Sequence, residues 1–195
     1  LVPAGWLAWN TYVVIRGTTG GALTDLGANP IRELQIQTGL WAIRFLAITL
    51  AITPLRQVLN LGPLAKYRRM FGLFTFFYAC LHLTMWAAVD WFFDWAAMWD
   101  EIVKHKYILV GMATFVMLIP LAATSTRRAM RRLGRRWQKL HRLVYVAVIL
   151  GCVHFWWQVK ADVREPLVYA AITALLLGWR LHRYRQRRAA QAPGS

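Results

Sequence analysis

The sequence predicts an all-α integral membrane protein, a bundle of six transmembrane helices in one domain, and three observations predict it. Hydrophobic residues make up 58% of the chain and mean hydropathy is +0.37, well to the apolar side of soluble domains. Six apolar stretches approach the length of about 20 residues that crosses roughly 30 Å of hydrocarbon. Arg and Lys are segregated from Asp and Glu in the connections between them, as expected when one set of loops stays in the cytoplasm. Long apolar runs, in place of alternating segments of about ten residues, argue against a β-barrel.

The expected spans are about 1–15, 38–55, 71–89, 107–123, 140–159 and 166–181, with a basic tail over 182–195, all within a single domain 1–195. The first is short and the chain starts with Leu1, so processing or trimming upstream is expected; no basic n-region or A-x-A-like site marks a signal peptide. The stretch from Gly17 to Pro30, dense in Gly, Thr and Asn, reads as an irregular loop. Between the third and fourth spans, "DWFFDWAAMWDEIVKHK" is too charged to cross and rich in aromatics, which suits a segment lying in the outer interface or facing a partner. No internal repeat is apparent.

Orientation follows from the charges. The linkers 56–70 and 124–142 and the tail together with Arg180 just before it hold 17 of the 24 basic residues and none of the eight acids. Both termini are therefore expected in the cytoplasm of a multi-pass inner-membrane protein. The net charge of +16 is a topology signal; it caps apolar spans and forms no separate module, so a nucleic-acid role is excluded, and anionic lipid headgroups or an acidic cytosolic partner are the expected counterparts. A transporter or proton channel would predict carboxylates inside the spans. The spans carry none.

Polar residues inside the spans are the candidate functional groups. At 1.5 Å per residue, His82, 13 residues beyond Arg69, lies roughly 20 Å from the cytoplasmic boundary. His154 lies about 18–22 Å from the same boundary, measured from Lys139 to Arg142, and His141 near its start. His82 and His154 thus share a level in the outer half of the bilayer, where two imidazoles suit a linear pair of axial ligands to a haem iron. The competing reading is that each histidine hydrogen-bonds a neighbouring helix. His141 and His154 are 13 residues apart; the rise of roughly 20 Å suits two stacked haems, but the offset of about 140° between their faces requires a kink, which Gly151 could permit. The spacing therefore supports a second haem weakly. Arg44, inside the second span, faces either an outer haem propionate or, by snorkelling, the outer headgroups. His105, between Lys104 and Lys106, reads as an exposed interface residue, and His182 lies at the cytoplasmic end of the sixth span. Cys80 and Cys152 each precede a histidine by two residues, on a different helix face and without the C-x-x-C-H of covalent attachment. They read as packing residues, and the haem as b-type. Most tryptophans fall near span ends, as interface anchors do.

The runs "LAATSTRRAMRRLGRRWQKLHRLVY", "FFYACLHLTMW", "QTGLWAIRFLAITLAITPL" and "VHFWWQVK" closely resemble the MsrQ (YedZ) family, the haem-binding membrane subunits of a periplasmic methionine sulfoxide reductase system, within the ferric reductase-like transmembrane superfamily. The resemblance covers the chain from the loop before the second span through the sixth. It implies haem-ligand positions at His82, His141 and His154, and electron delivery across the inner membrane to MsrP, a periplasmic molybdoenzyme on which methionine sulfoxide reduction occurs. It further implies the quinol pool or a cytosolic flavin reductase as donor, and an association with FMN for which no site is visible in the residues. One haem level below His82 this sequence has Arg68 and Arg69, so an inner haem would lack one histidine of the pattern in NADPH oxidases. The alternative function is a stand-alone transmembrane haem ferric reductase or oxidase fed by a separate flavoprotein. About 14 residues follow the sixth span, with no G-x-G-x-x-G, so a fused dehydrogenase domain is not expected.

Overall fold

The computed structural model describes residues 5, 30–60, 62–159 and 162–190. Among them the regular structure is helical: α1 Pro30–Val58, a 3-10 turn Gly62–Leu64, α2 Ala65–Met85 continued by a π turn Trp86–Asp90, α3 Trp95–Lys104, α4 Lys106–Ala123, α5 Arg127–Leu133, α6 Arg135–Leu140, α7 Leu143–Gln158 and α8 Arg164–Ala189. Four helical stretches, 32–58, 62–90, 106–123 and 135–158, are long and apolar enough to cross a membrane. They contain the second to fifth expected spans, save residue 159 of the fifth. The expected first span lies outside the described residues except for Gly5. The expected sixth falls within α8, whose 26 residues end in a strongly basic half and which is not among those four.

The helices pack as two pairs, α1 with α2 and α4 with α7, and α8 closes against α1 and α7. Between α1 and α2 the contact is aromatic: Phe45 lies 5.3 Å from Phe74, 5.4 Å from Tyr78 and 5.9 Å from Phe71, centroid to centroid, within the range where aromatic pairs attract beyond simple burial. Leu46 and Leu50 of α1 meet Val148 of α7, while Leu118 and Leu121 of α4 meet Ala147. Four threonine hydroxyls are satisfied locally. Thr49, Thr75, Thr114 and Thr124 each donate to the carbonyl four residues back, as a medium without water requires.

The outer segment folds as an amphipathic helix. Asp94 caps α3, accepting from the amides of Ala96 and Ala97 at 3.1 Å each, and Met98 turns inward. Phe92, Trp95, Trp99 and Val103 stay exposed, in the stripe that an interfacial helix presents. Phe92 and Phe93 reverse the chain with φ of 46° and 59°. Gly151, where a kink could align His141 with His154, lies within the continuous helix α7, and the helix is interrupted instead at His141 and Arg142, between α6 and α7.

Pro54 sits inside α1 and has no N–H to give the carbonyl of Leu50. Arg180 of α8 replaces it, its Nη2 donating to that carbonyl at 2.7 Å, so a cation inside the bundle is matched by an orphaned acceptor. Arg180→Met is expected to cost about 1–3 kcal/mol, seen as a lower unfolding midpoint of the detergent-solubilised protein. Pro54→Ala in that background, by returning an amide to Leu50, is expected to recover part of the loss; simple additivity of the two changes would contradict this pairing.

Candidate functional site

A cavity of about 440 Å³ runs between the two helix pairs, from Leu46, Thr75 and Leu118 at its deep end to Asp90, Trp91 and Glu101 at its mouth. His82 of α2 and His154 of α7 face each other across it. Their ring centroids are 6.2 Å apart with planes at 80°. Each Nδ1 is tied to a backbone carbonyl of a neighbouring helix: His82 to Gln35 of α1 at 2.8 Å, His154 to Tyr107 of α4 at 2.7 Å. A carbonyl only accepts, so both Nδ1 atoms carry the proton and both Nε2 atoms keep a lone pair.

The approach is possible because the helix beside each ring is bare. The heavy atoms of other residues nearest to Gly39 and Gly111, measured from where a Cβ would stand, are imidazole atoms of His82 and His154. The π turn shapes the mouth. On an ideal α-helix Asp90 would be rotated about 80° from His82, but the wider i→i+5 turn keeps His82, Trp86 and Asp90 all on the cavity wall, and such turns recur at functional sites. At the mouth the Asp90 carboxylate lies near the Gln35 side chain and Arg32, and Glu101 pairs with His105 Nδ1 at 3.0 Å.

The other residues singled out from sequence sit elsewhere. His141 lies below the cavity, stacked on Trp137 with centroids 3.9 Å apart. Its Nε2 is 3.0 Å from Thr124 Oγ1. That hydroxyl spends its one proton on the Pro120 carbonyl at 2.6 Å, so it can only accept from His141, and Nε2 bears the hydrogen. Arg44 does not line the cavity: its Nε donates to Tyr169 Oη of α8 at 2.9 Å, and its guanidinium lies 4.9 Å from the centre of the Trp41 ring. His182 is exposed and 2.9 Å from Gln186 Nε2. Both cysteines are free and half-buried; Cys152 lies 3.4 Å from Thr173 Oγ1. Gly39, Gly111, the two carbonyls and the π turn were missed by sequence reasoning. The sequence does hold a glycine at the same spacing before each histidine, Gly39 before His82 and Gly111 before His154.

The donor set can be tested against a flat metal macrocycle. Among the described residues no group of three or more His, Cys, Asp or Glu side chains could hold a metal ion by itself. Two facing imidazoles supply two bonds only and need the remaining ligands from elsewhere. With a metal–nitrogen bond of about 2.0 Å and about 1.1 Å from nitrogen to ring centre, two imidazoles on one metal stand roughly 6.2 Å apart, the spacing seen. The cavity falls in the range of about 300–1,000 Å³ usual for ligand sites. The residues present fit a haem.

A helical membrane bundle with this histidine pair defines a class, and the chain matches the family described as ferric reductase like transmembrane component over residues 38–152. Relatives described as protein-methionine-sulfoxide reductase heme-binding subunit MsrQ are 48% identical over 181 residues in Xanthomonas euvesicatoria pv. vesicatoria, covering 93% of this chain and 81% of the relative. One from Rhodospirillum rubrum is 52% identical over 171 residues, covering 87% and 82%. This chain therefore belongs to the MsrQ family of ferric reductase-like membrane proteins. No solved structure matches it.

Thr124→Val leaves the His141 N–H without an acceptor while keeping the side-chain shape. It is expected to cost about 1–2 kcal/mol in thermal unfolding and to leave the absorption spectrum of the His82–His154 site unchanged.

Proposed function

We propose that this chain is a b-type haem subunit that carries electrons across the inner membrane to a periplasmic molybdenum-cofactor methionine sulfoxide reductase of the MsrP kind. Methionine sulfoxide reduction takes place on that partner and repairs oxidised periplasmic proteins. Electrons arrive from the quinol pool or a cytosolic flavin reductase. The observation that carries the reading is the pair of imidazoles at 6.2 Å with both Nε2 lone pairs free. The names of the relatives, heme-binding subunits of a protein-methionine-sulfoxide reductase, support the same assignment.

In this reading His82 and His154 would hold the haem through their Nε2 atoms. Haem bound between them supplies a one-electron redox centre. The carbonyls of Gln35 and Tyr107 hold the imidazoles in one tautomer and raise their basicity. The apolar walls formed by Leu40, Ile43, Leu46 and Phe115 exclude water from the site. His141 is engaged with Thr124 and Arg44 with Tyr169, so the reading centres on one haem between His82 and His154, with His141 the ligand position that the resemblance implies for a second and Arg44 the cation at the depth of a propionate. The topology proposed is a single domain of six spans with both termini cytoplasmic, α8 being the last; its Arg44 and Arg180 contacts with α1 support a place inside the bundle.

Pyridine-haemochrome assay of the purified protein is expected to give one haem per chain. His82→Ala and His154→Ala should each abolish the low-spin spectrum, and His141→Ala should leave stoichiometry unchanged. Wild-type protein with no Soret band, or with two haems of which His141→Ala removes one, would refute the assignment. The near-perpendicular ring planes keep the two iron orbitals that interact with them nearly degenerate. Ferric protein is accordingly expected to show a single large-g resonance at low temperature in place of a rhombic triplet.

A further inference from the structure

The two halves of the site are built alike. In each, a histidine on one helix donates through Nδ1 to a carbonyl 47 residues earlier on its paired helix, and a glycine stands four residues after that carbonyl, beside the ring. A helical Cβ tilts toward the N-terminus and covers the preceding turn. At Gly39 and Gly111 that covered turn is where the imidazole rests on its carbonyl. We propose that these glycines are positioning residues, and that Gly111 in particular keeps His154 on the iron and so closes the sixth coordination position to small ligands such as carbon monoxide or oxygen. The inference rests on the haem reading above and adds what decides the ligand state.

The two clearances are unequal, which makes the inference specific. A Cβ at Gly111 would stand 2.7 Å from His154 Nδ1, 2.8 Å from Cε1 and 3.3 Å from Cγ. Carbon and nitrogen attract best near 3.5–4.0 Å, so the ring would have to leave. Moving it stretches the bond to Tyr107, and the Tyr107 ring, 6.3 Å away centre to centre, limits where it can go. At Gly39 the corresponding distances to His82 are 3.1, 3.1 and 3.7 Å, a crowding that a few tenths of an ångström relieves. A glycine used for close approach of helices would meet backbone or several side chains; here the three nearest atoms at each position all belong to one imidazole. Gly151, on the same cavity wall as His154, gives the contrast, since its added Cβ would meet only Thr114 Cγ2 at 3.9 Å.

The test compares purified wild type, Gly39→Ala, Gly111→Ala and Gly151→Ala by haem content, by ferric and ferrous spectra, and by the spectral change of reduced protein under carbon monoxide. Wild type and Gly151→Ala are expected to be low-spin and inert to carbon monoxide. Gly111→Ala is expected to keep haem through His82, with the larger part five-coordinate and binding carbon monoxide. Gly39→Ala should remain mostly low-spin. Gly111→Ala matching Gly151→Ala, or Gly39→Ala showing the greater loss, would overturn the proposal. Should Gly111→Ala lose haem altogether, it is combined with His154→Ala. A cradle for His154 predicts that the glycine change adds nothing to haem content or unfolding midpoint in that background, whereas a further drop would show a general packing defect and sink the inference. Wild type without haem would bring down the haem reading itself, an outcome distinct from any of these.

Discussion

Two N–H···O=C bonds, from His82 to Gln35 and from His154 to Tyr107, are the constraint on which the site depends. In an apolar cavity a polar nitrogen without a partner costs several kcal/mol, of the order of 2–7 for a neutral group. Placing one nitrogen of each ring on a carbonyl removes half of that cost and leaves the other nitrogen with its lone pair. The same bond sets the tautomer, the ring plane and the basicity of the free nitrogen. Helices α1 and α4 thus contribute to the site through their backbones and through what they lack, a Cβ at residues 39 and 111. Helices α2 and α7 contribute the side chains.

Around that centre the bundle repeatedly settles polar groups without water. Arg180 takes up the carbonyl that Pro54 orphans, Arg44 reaches Tyr169, and hydroxyls fold back onto their own helices. The two arginines join α8 to α1. The cations inside the bundle are explained by these acceptors, with no carboxylate opposite either of them in these contacts. His141 belongs to the same economy: with Thr124 and Trp137 it closes the break between α6 and α7.

Much of this was readable beforehand, and particular residues show where reading stopped. The pairing of His82 with His154 followed from counting rises along two spans, because depth in a bilayer is nearly linear in residue number. The resemblance implied a ligand position at His141, and depth set Arg44 level with either an outer haem propionate or the headgroups; depth says nothing of which face a side chain takes. Gly151 invited a kink on composition alone. The chain breaks ten residues earlier, at His141, where ring stacking and the Thr124 hydroxyl hold the turn.

Helical class, apolar span positions from 38 to 159 and the level of the facing histidines come from hydropathy, charge segregation and helical rise, which are properties of the chain taken one segment at a time. Family membership is carried by motifs along the same line. The bare glycines, the carbonyl partners, the π turn that brings Asp90 to the cavity and the true neighbours of Arg44 and His141 depend on which helix lies against which. The hydrogen bonds among them join residues 17 to 125 positions apart, and no local pattern encodes them; they exist once the helices have packed.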